Sequence, residues 1–119
     1  MVYVDGFVLP VKTRQLARYR SMAKQAGKIW RKYGALEFRE SVADDVPVGK
    51  RTSFPRSVKL KRGETVVFSY ILYRSRADRD RVMAKVMKDK RIEAMMKSKN
   101  IPFDDKRMIV GGFKTMVSA

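Results

Sequence analysis

The chain contains no cysteine and no histidine. Without cysteine there is no disulfide and no thiolate chemistry, an absence that fits a reducing, cytoplasmic setting. Without histidine the commonest metal ligand and the commonest general base near neutral pH are missing, so zinc centres and Ser/Cys–His catalysis lack their usual parts. Only a carboxylate site for magnesium or calcium stays open to a metal, and nothing in the sequence calls for a cofactor. No apolar run approaches the roughly 20 residues that span a bilayer, so no membrane partner is expected. Met1 to Pro10 has no leading basic cluster and carries Asp5; it reads as a strand rather than a signal peptide. Acids are scarce: 12 Asp and Glu stand against 28 Lys and Arg, a formal net charge of +16. Such a field draws polyanions, weak nucleic-acid binding included, and says nothing about fold.

What is present is enough apolar material for a core. Hydrophobic residues make up 45% of the 119, which fits one domain over residues 1–119. Tyr3 to Val11, rich in Val, Phe, Leu and Tyr, predicts a first strand. Thr13 is placed to cap a helix whose apolar stripe is Leu16, Tyr19, Met22, Ala23, Ala26, Ile29, Trp30 and Tyr33, ending at Gly34. The other face of that helix carries Arg14, Arg18, Lys24, Lys28, Arg31 and Lys32, with no acid between Thr13 and Tyr33. Ala35 to Val42 alternates as a strand with one wetter face, and Ala43 to Arg62, with its Asp, Pro, Gly and basic residues, reads as a long connection. Thr65 to Tyr73 is the strongest strand. Ser75 to Asp78 resembles a capping box opening a second helix with Val82, Met83, Val86 and Met87 inward. Ile92, Met95 and Met96 mark a short extra helix, Asn100 to Asp105 a loop. Met108 to Val117 is a last strand interrupted at Gly111-Gly112, a sign of a bulge or close backbone packing.

The order βαββαβ is the split βαβ pattern of ferredoxin-like α+β folds, with an antiparallel sheet in the order 4-1-3-2. Strands one and three are then central, and both are apolar on both faces. Two helices cover only one face, and the other would leave an apolar patch too large for an ordinary monomer. A second copy packed by two-fold symmetry covers it, giving a homodimer. The competing reading folds the long connection back over that face, against which its charge density argues.

Several constellations are candidates for chemistry. Gly49 to Arg56 gathers backbone amides, Lys50, Arg51, Ser53 and Arg56 into a loop suited to a carboxylate or phosphate, with Phe54 beside them. It lacks the spacing of a Walker motif, and a solvated loop crossing to a partner subunit explains it equally well. Tyr3, Asp5, Trp30, Tyr70, Tyr73 and Arg107 are expected to approach one cleft between the sheets. There Asp5, a charge inside an apolar strand, needs a cation such as Arg107 or Arg56. Asp44-Asp45 is read as a turn rather than a cation site. The candidate ligand cleft is thus Tyr3, Asp5, Trp30, Lys50, Ser53, Phe54, Arg56, Tyr70, Tyr73 and Arg107. Three functional classes stand: a binding or accessory protein for a small anionic ligand, a metal-free small-substrate enzyme with Asp5, Glu37, Tyr70 and Tyr73 as acid/base groups, and RNA binding through the basic helix faces.

Several blocks also resemble a known family. They are Tyr3-Val4-Asp5-Gly6-Phe7, Ala26-Gly27-Lys28-Ile29-Trp30, Gly34-Ala35-Leu36-Glu37, Asp44 to Lys50, Thr52 to Arg56, Gly63 to Ser69, and Pro102 to Phe113. Together they are similar to the YbaA-like family of bacterial proteins, domain of unknown function 1428, nearly end to end. The resemblance implies a dimeric α/β barrel, two ferredoxin-like protomers facing each other sheet to sheet, and implies no established activity. This chain departs from the family where Tyr33 stands in place of a frequent His, and where Lys90 stands in place of a frequent Pro after Asp89.

Overall fold

The computed structural model describes residues 1–119. The chain runs through β1 (Tyr3–Lys12), a 3-10 turn (Thr13–Gln15), α1 (Leu16–Tyr33) and β2 (Glu37–Val42). It continues through α2 (Phe54–Ser57), β3 (Glu64–Tyr73), α3 (Arg76–Met87), α4 (Lys90–Lys97), a second 3-10 turn (Asp105–Arg107) and β4 (Ile109–Lys114). The four strands form one antiparallel sheet in the order β2-β3-β1-β4, the ferredoxin-like order expected.

Side chains alternate across the two central strands, as the pleat requires. Tyr3, Leu9 and Val11 of β1 and Val67, Ile71 and Tyr73 of β3 are buried beneath the helices. They meet Tyr19, Ala23 and Ile29 of α1, Val82 and Val86 of α3 and Ile92 of α4 in two adjoining clusters. Pro10 is tolerated inside β1 because β4 pairs with β1 only from Tyr3 to Val8, so the missing N–H faces no strand. Thr13 does not cap a long helix as expected. Its amide donates to Gly63 O (2.9 Å), which extends the β1–β3 pairing and delays α1 until Leu16.

The opposite face is covered in part. The charged connection does return to the sheet, correcting the expectation that its charge keeps it away. Pro55 and Val58 of the connection are buried, as are Pro10 and Val66 of the sheet, while Lys50, Arg51 and Arg56 are exposed. Phe54 meets Phe68 edge-on at 6.0 Å. Beyond this cover Phe68, Ile109 and Phe113 stay 44%, 44% and 63% exposed on the same face as Val4 and Val8.

Gly27, in the middle of α1, faces β2. A Cβ there would lie 2.8 Å from Phe38 Cδ1, so the glycine lets helix and edge strand approach. Ala in a helix interior is ordinarily favoured over Gly by about 0.5–1 kcal/mol. Gly27→Ala is expected to reverse that sign and lower stability by about 1 kcal/mol or more, because the added methyl overpacks the Phe38 contact. Urea denaturation of the two proteins checks it.

Candidate ligand-binding groove

The short link of Gly34, Ala35 and Leu36 sends β2 back along α1, and the helix and this edge strand do not close on each other. Between them lies a groove of about 960 Å³, within the size range of ligand pockets. Its floor is apolar: Leu16, Ala23, Phe38 and Val67. Its helix wall carries Arg20, Lys24 and Lys28, spaced four residues apart and so stacked on one side of α1. All three are exposed, and none forms a salt bridge. Arg31, at the end of the wall, is instead engaged with the carbonyls of Ala35 and Leu36.

Two acids line the groove, and one of them, Glu37, is already engaged by the Tyr70 hydroxyl and by Arg39. Glu40, facing the helices from β2, accepts a hydrogen bond from the Tyr19 hydroxyl at 2.7 Å. Burial pushes its carboxyl above the usual carboxylate range, with bonds from Tyr19 and Ser69 working the other way. Burial, and then the Glu40 charge, hold the Tyr19 hydroxyl far above its ordinary pKa, so Tyr19 remains a donor. The groove thus offers cations along one wall, an apolar floor and one acceptor group at its centre.

The residues expected to share one cleft are distributed over three places. Trp30, Tyr73, Asp5 and Tyr3 do come together, under the helices rather than between two sheets. Trp30 Nε1 donates to the Tyr73 hydroxyl (3.2 Å), which in turn bonds Asp5. Asp5 pairs with Arg79 of α3 (Nε–Oδ1 3.3 Å), not with Arg107 or Arg56. Arg79 also donates to the Tyr3 hydroxyl (3.2 Å) and lies over its ring. Burial raises the Asp5 pKa, and the Arg79 charge offsets only part of that rise. Gly112 makes room for this cluster, since a Cβ there would lie 2.6 Å from Arg79 Nη2; that close packing explains Gly112, whereas a Cβ at Gly111 would make only an ordinary contact with the Phe113 ring, 3.4 Å away. Tyr70 lies on the other sheet face and donates to Glu37 (2.8 Å).

The remaining candidates serve the connection itself. Ser53 caps α2 by accepting from the Arg56 amide (3.1 Å), and the Arg56 guanidinium donates to Gly49 O (3.0 Å) and Val48 O (3.2 Å). Lys50 is exposed, and Phe54 sits against Phe68. Arg107 joins Glu64 (2.6 Å) and Asp104 (2.8 Å) and donates to Lys59 O (3.0 Å), pinning the connection to the turn before β4. Asp44 and Asp45 are exposed after β2. Sequence reasoning missed Tyr19 and Arg20 as site residues, and weighed Glu40 only as a neighbour of the Asp44-Asp45 pair. The available signal was cations at positions 20, 24 and 28 followed by an edge strand with an inward glutamate.

Residues 2–105 match the family described as "Protein of unknown function (DUF1428)". The "Uncharacterized protein YbaA" of Escherichia coli (strain K12) is 44% identical over 117 residues, covering 98% of each chain; the Shigella flexneri protein of that name matches equally. Among solved structures, the chain is similar to a mutant of SnoaB, a cofactor-independent oxygenase from Streptomyces nogalater, with a TM-score of 0.64 at 9% identity, over 98% of this chain and 95% of that one. It is similar also to a NIPSNAP family protein from Agrobacterium tumefaciens, with a TM-score of 0.63 at 14% identity, over 96% and 92%. At such identities the likeness is one of fold.

The Glu40 carboxyl yields a pH test. A folded-state pKa above the unfolded one means the protonated form favours folding. That contribution is complete below the unfolded value and is lost as pH rises through the folded one. Glu40→Gln keeps an acceptor for Tyr19 and abolishes the titration. The stability of the variant relative to the parent should therefore increase as pH rises above the ordinary glutamate value of about 4.3; denaturation curves from acid to neutral pH measure it, and a constant difference would contradict the assignment.

Proposed function

The chain belongs to the DUF1428 family of proteins of unknown function, and we propose that it is a cytoplasmic homodimeric binding protein that holds a small amphipathic anion between α1 and β2. The observation that carries this reading is the row Arg20, Lys24 and Lys28, unpaired, above an apolar floor. In a protein whose acids are mostly paired with arginines elsewhere, these cations are left for a partner from outside. The ligand site proposed here is on the helix side of the sheet, and the loop from Gly49 to Arg56 has no part in it: its Arg56 guanidinium is used on the carbonyls of Val48 and Gly49, and Ser53 caps α2.

The dimer rests on the uncovered sheet face. Phe68, Ile109 and Phe113, with Phe54 beside them, form an exposed apolar patch. Burying about half of each of four such side chains is worth on the order of 4 kcal/mol before association costs, so the patch favours pairing without guaranteeing tightness.

A metal-free enzyme acting on a small substrate is a second reading, supported by the Tyr19–Glu40 pair at the floor of the groove. SnoaB is described as a cofactor-independent oxygenase; for this chain that supplies fold analogy alone.

Two measurements test these readings. Decanoate and phenyl phosphate at ten times their Kd should stabilise the protein by about 1.4 kcal/mol, raising Tm by about 6 °C. A Lys24→Glu, Lys28→Glu variant should lose that shift, and no shift with the parent would sink the groove reading. Sedimentation equilibrium should find a dimer that Phe68→Glu with Phe113→Glu turns into a monomer of unchanged helicity. A monomeric parent would refute the dimer.

A further inference from the structure

The groove is built along a strand edge. β2 is the outer strand on its side of the sheet, bonded to β3 alone. Ala43 N donates to Val66 O at 2.9 Å. Because bonded and non-bonded positions alternate in an antiparallel ladder, residues 37, 39 and 41 bond to β3. The N–H and C=O groups of Phe38, Glu40 and Val42 therefore point away from the sheet. Residues 36 to 42, Arg39 excepted, all line the groove, so this unpaired backbone edge runs its whole length. An unpaired edge is a template for one more strand.

The charges on α1 specify which strand. Arg20 and Lys28 are eight residues apart on the helix, about 12 Å along its axis. An extended chain covers about 13 Å in four residues, with side chains at i, i+2 and i+4 on one face. A strand added antiparallel to β2 would place those three residues opposite Phe38, Glu40 and Val42, all turned toward α1. Acids at the outer two meet the unpaired Arg20 and Lys28. The middle one faces Glu40, where another acid would be repelled and a hydroxyl would be accepted.

Resting on the groove reading above, we propose that the natural occupant is an extended acidic peptide segment, acid–x–hydroxyl–x–acid with apolar x, which adds to the β2 edge as a fifth strand. Backbone pairing along Phe38 to Val42 supplies the binding, and the α1 cations choose the sequence.

The probe is a fluorescein-labelled peptide Val-Glu-Val-Thr-Val-Glu-Val, read by anisotropy at physiological salt. Saturable binding is expected. N-methylation of its two glutamates, which removes the pairing N–H groups and leaves the protein untouched, should weaken binding at least tenfold. So should Val42→Pro, which deletes one outward N–H and spares the bonds to β3, and so should replacing the central Thr of the peptide by Glu. Equal binding of the N-methylated peptide would overturn the edge pairing. So would tighter binding of a single-stranded DNA heptamer, which would mean simple charge attraction. If Val42→Pro converts a dimer to a monomer, the edge belongs to a second copy and the proposal fails. Binding of decanoate without binding of the peptide would overturn the peptide class alone; silence from both would remove the groove reading as well.

Discussion

Two main helices pack on one face of a four-stranded sheet, and the rest of the molecule answers the question of what covers the other. The central strands β1 and β3 carry large apolar side chains on both sides, so each face needs a cover. α1, α3 and α4 provide one. The connection between β2 and β3 provides part of the second by sorting its own residues: Pro55 and Val58 go in while the lysines and arginines go out. Arg107 holds that arrangement by bonding Glu64, Asp104 and backbone carbonyls of the connection at once. The uncovered remainder is the patch around Phe68 and Phe113.

Charge follows a similar division. Every salt bridge in the protein is made by an arginine, and the acids engaged lie on β1, β2, β3, α3, at the start of α4 and in the turn before β4. α1 contains no acid, and the acids that reach it, Glu40 and Asp89, bond to its tyrosines rather than to its cations, so its exposed cations have no acid partner. Exposed ion pairs contribute little to stability. The lack of partners along α1 therefore costs the fold little, while leaving a row of uncompensated charge where an anion can act. Of the two carboxylates that line the groove with that row, Glu37 is engaged by Tyr70 and Arg39, and Glu40 is tied to Tyr19 and partly desolvated.

Beneath the helices, the chain from Trp30 through Tyr73 and Asp5 to Arg79 and Tyr3 is a different kind of polar structure. A buried ion pair contributes little net stability but is costly to break, since one charge would be left without a partner. Its members are surrounded by apolar core on both sides, and Gly112 is shaped to its outline. Its geometry is that of an internal brace linking β1, β3, α1 and α3.

Strand order, the amphipathic helices and the oiliness of both sheet faces were legible in the residues, because they follow from periodicities of two and of about 3.6 that depend on neighbours along the chain. The need of Asp5 for a cation was legible too, but its partner was not: Arg79 is distant in sequence and meets Asp5 only because α3 crosses back over β1. Trp30 and Tyr73 do meet Asp5, but under the helices rather than in a cleft between sheets, whereas Tyr70, one pleat position out of phase with Tyr73, faces the other way. Arg107 and Arg56 looked available as ligands because sequence does not reveal which backbone carbonyls lie unpaired beside them. The groove was the least legible feature. Its cations, its glutamate and its floor are ordinary in sequence. Only the antiparallel return of β2 along α1, permitted by Gly27, sets an unpaired strand edge beside unpaired charge. Local pattern determined the elements and their oily sides; contacts across the chain decided which polar groups were already spoken for, and so which were left to act.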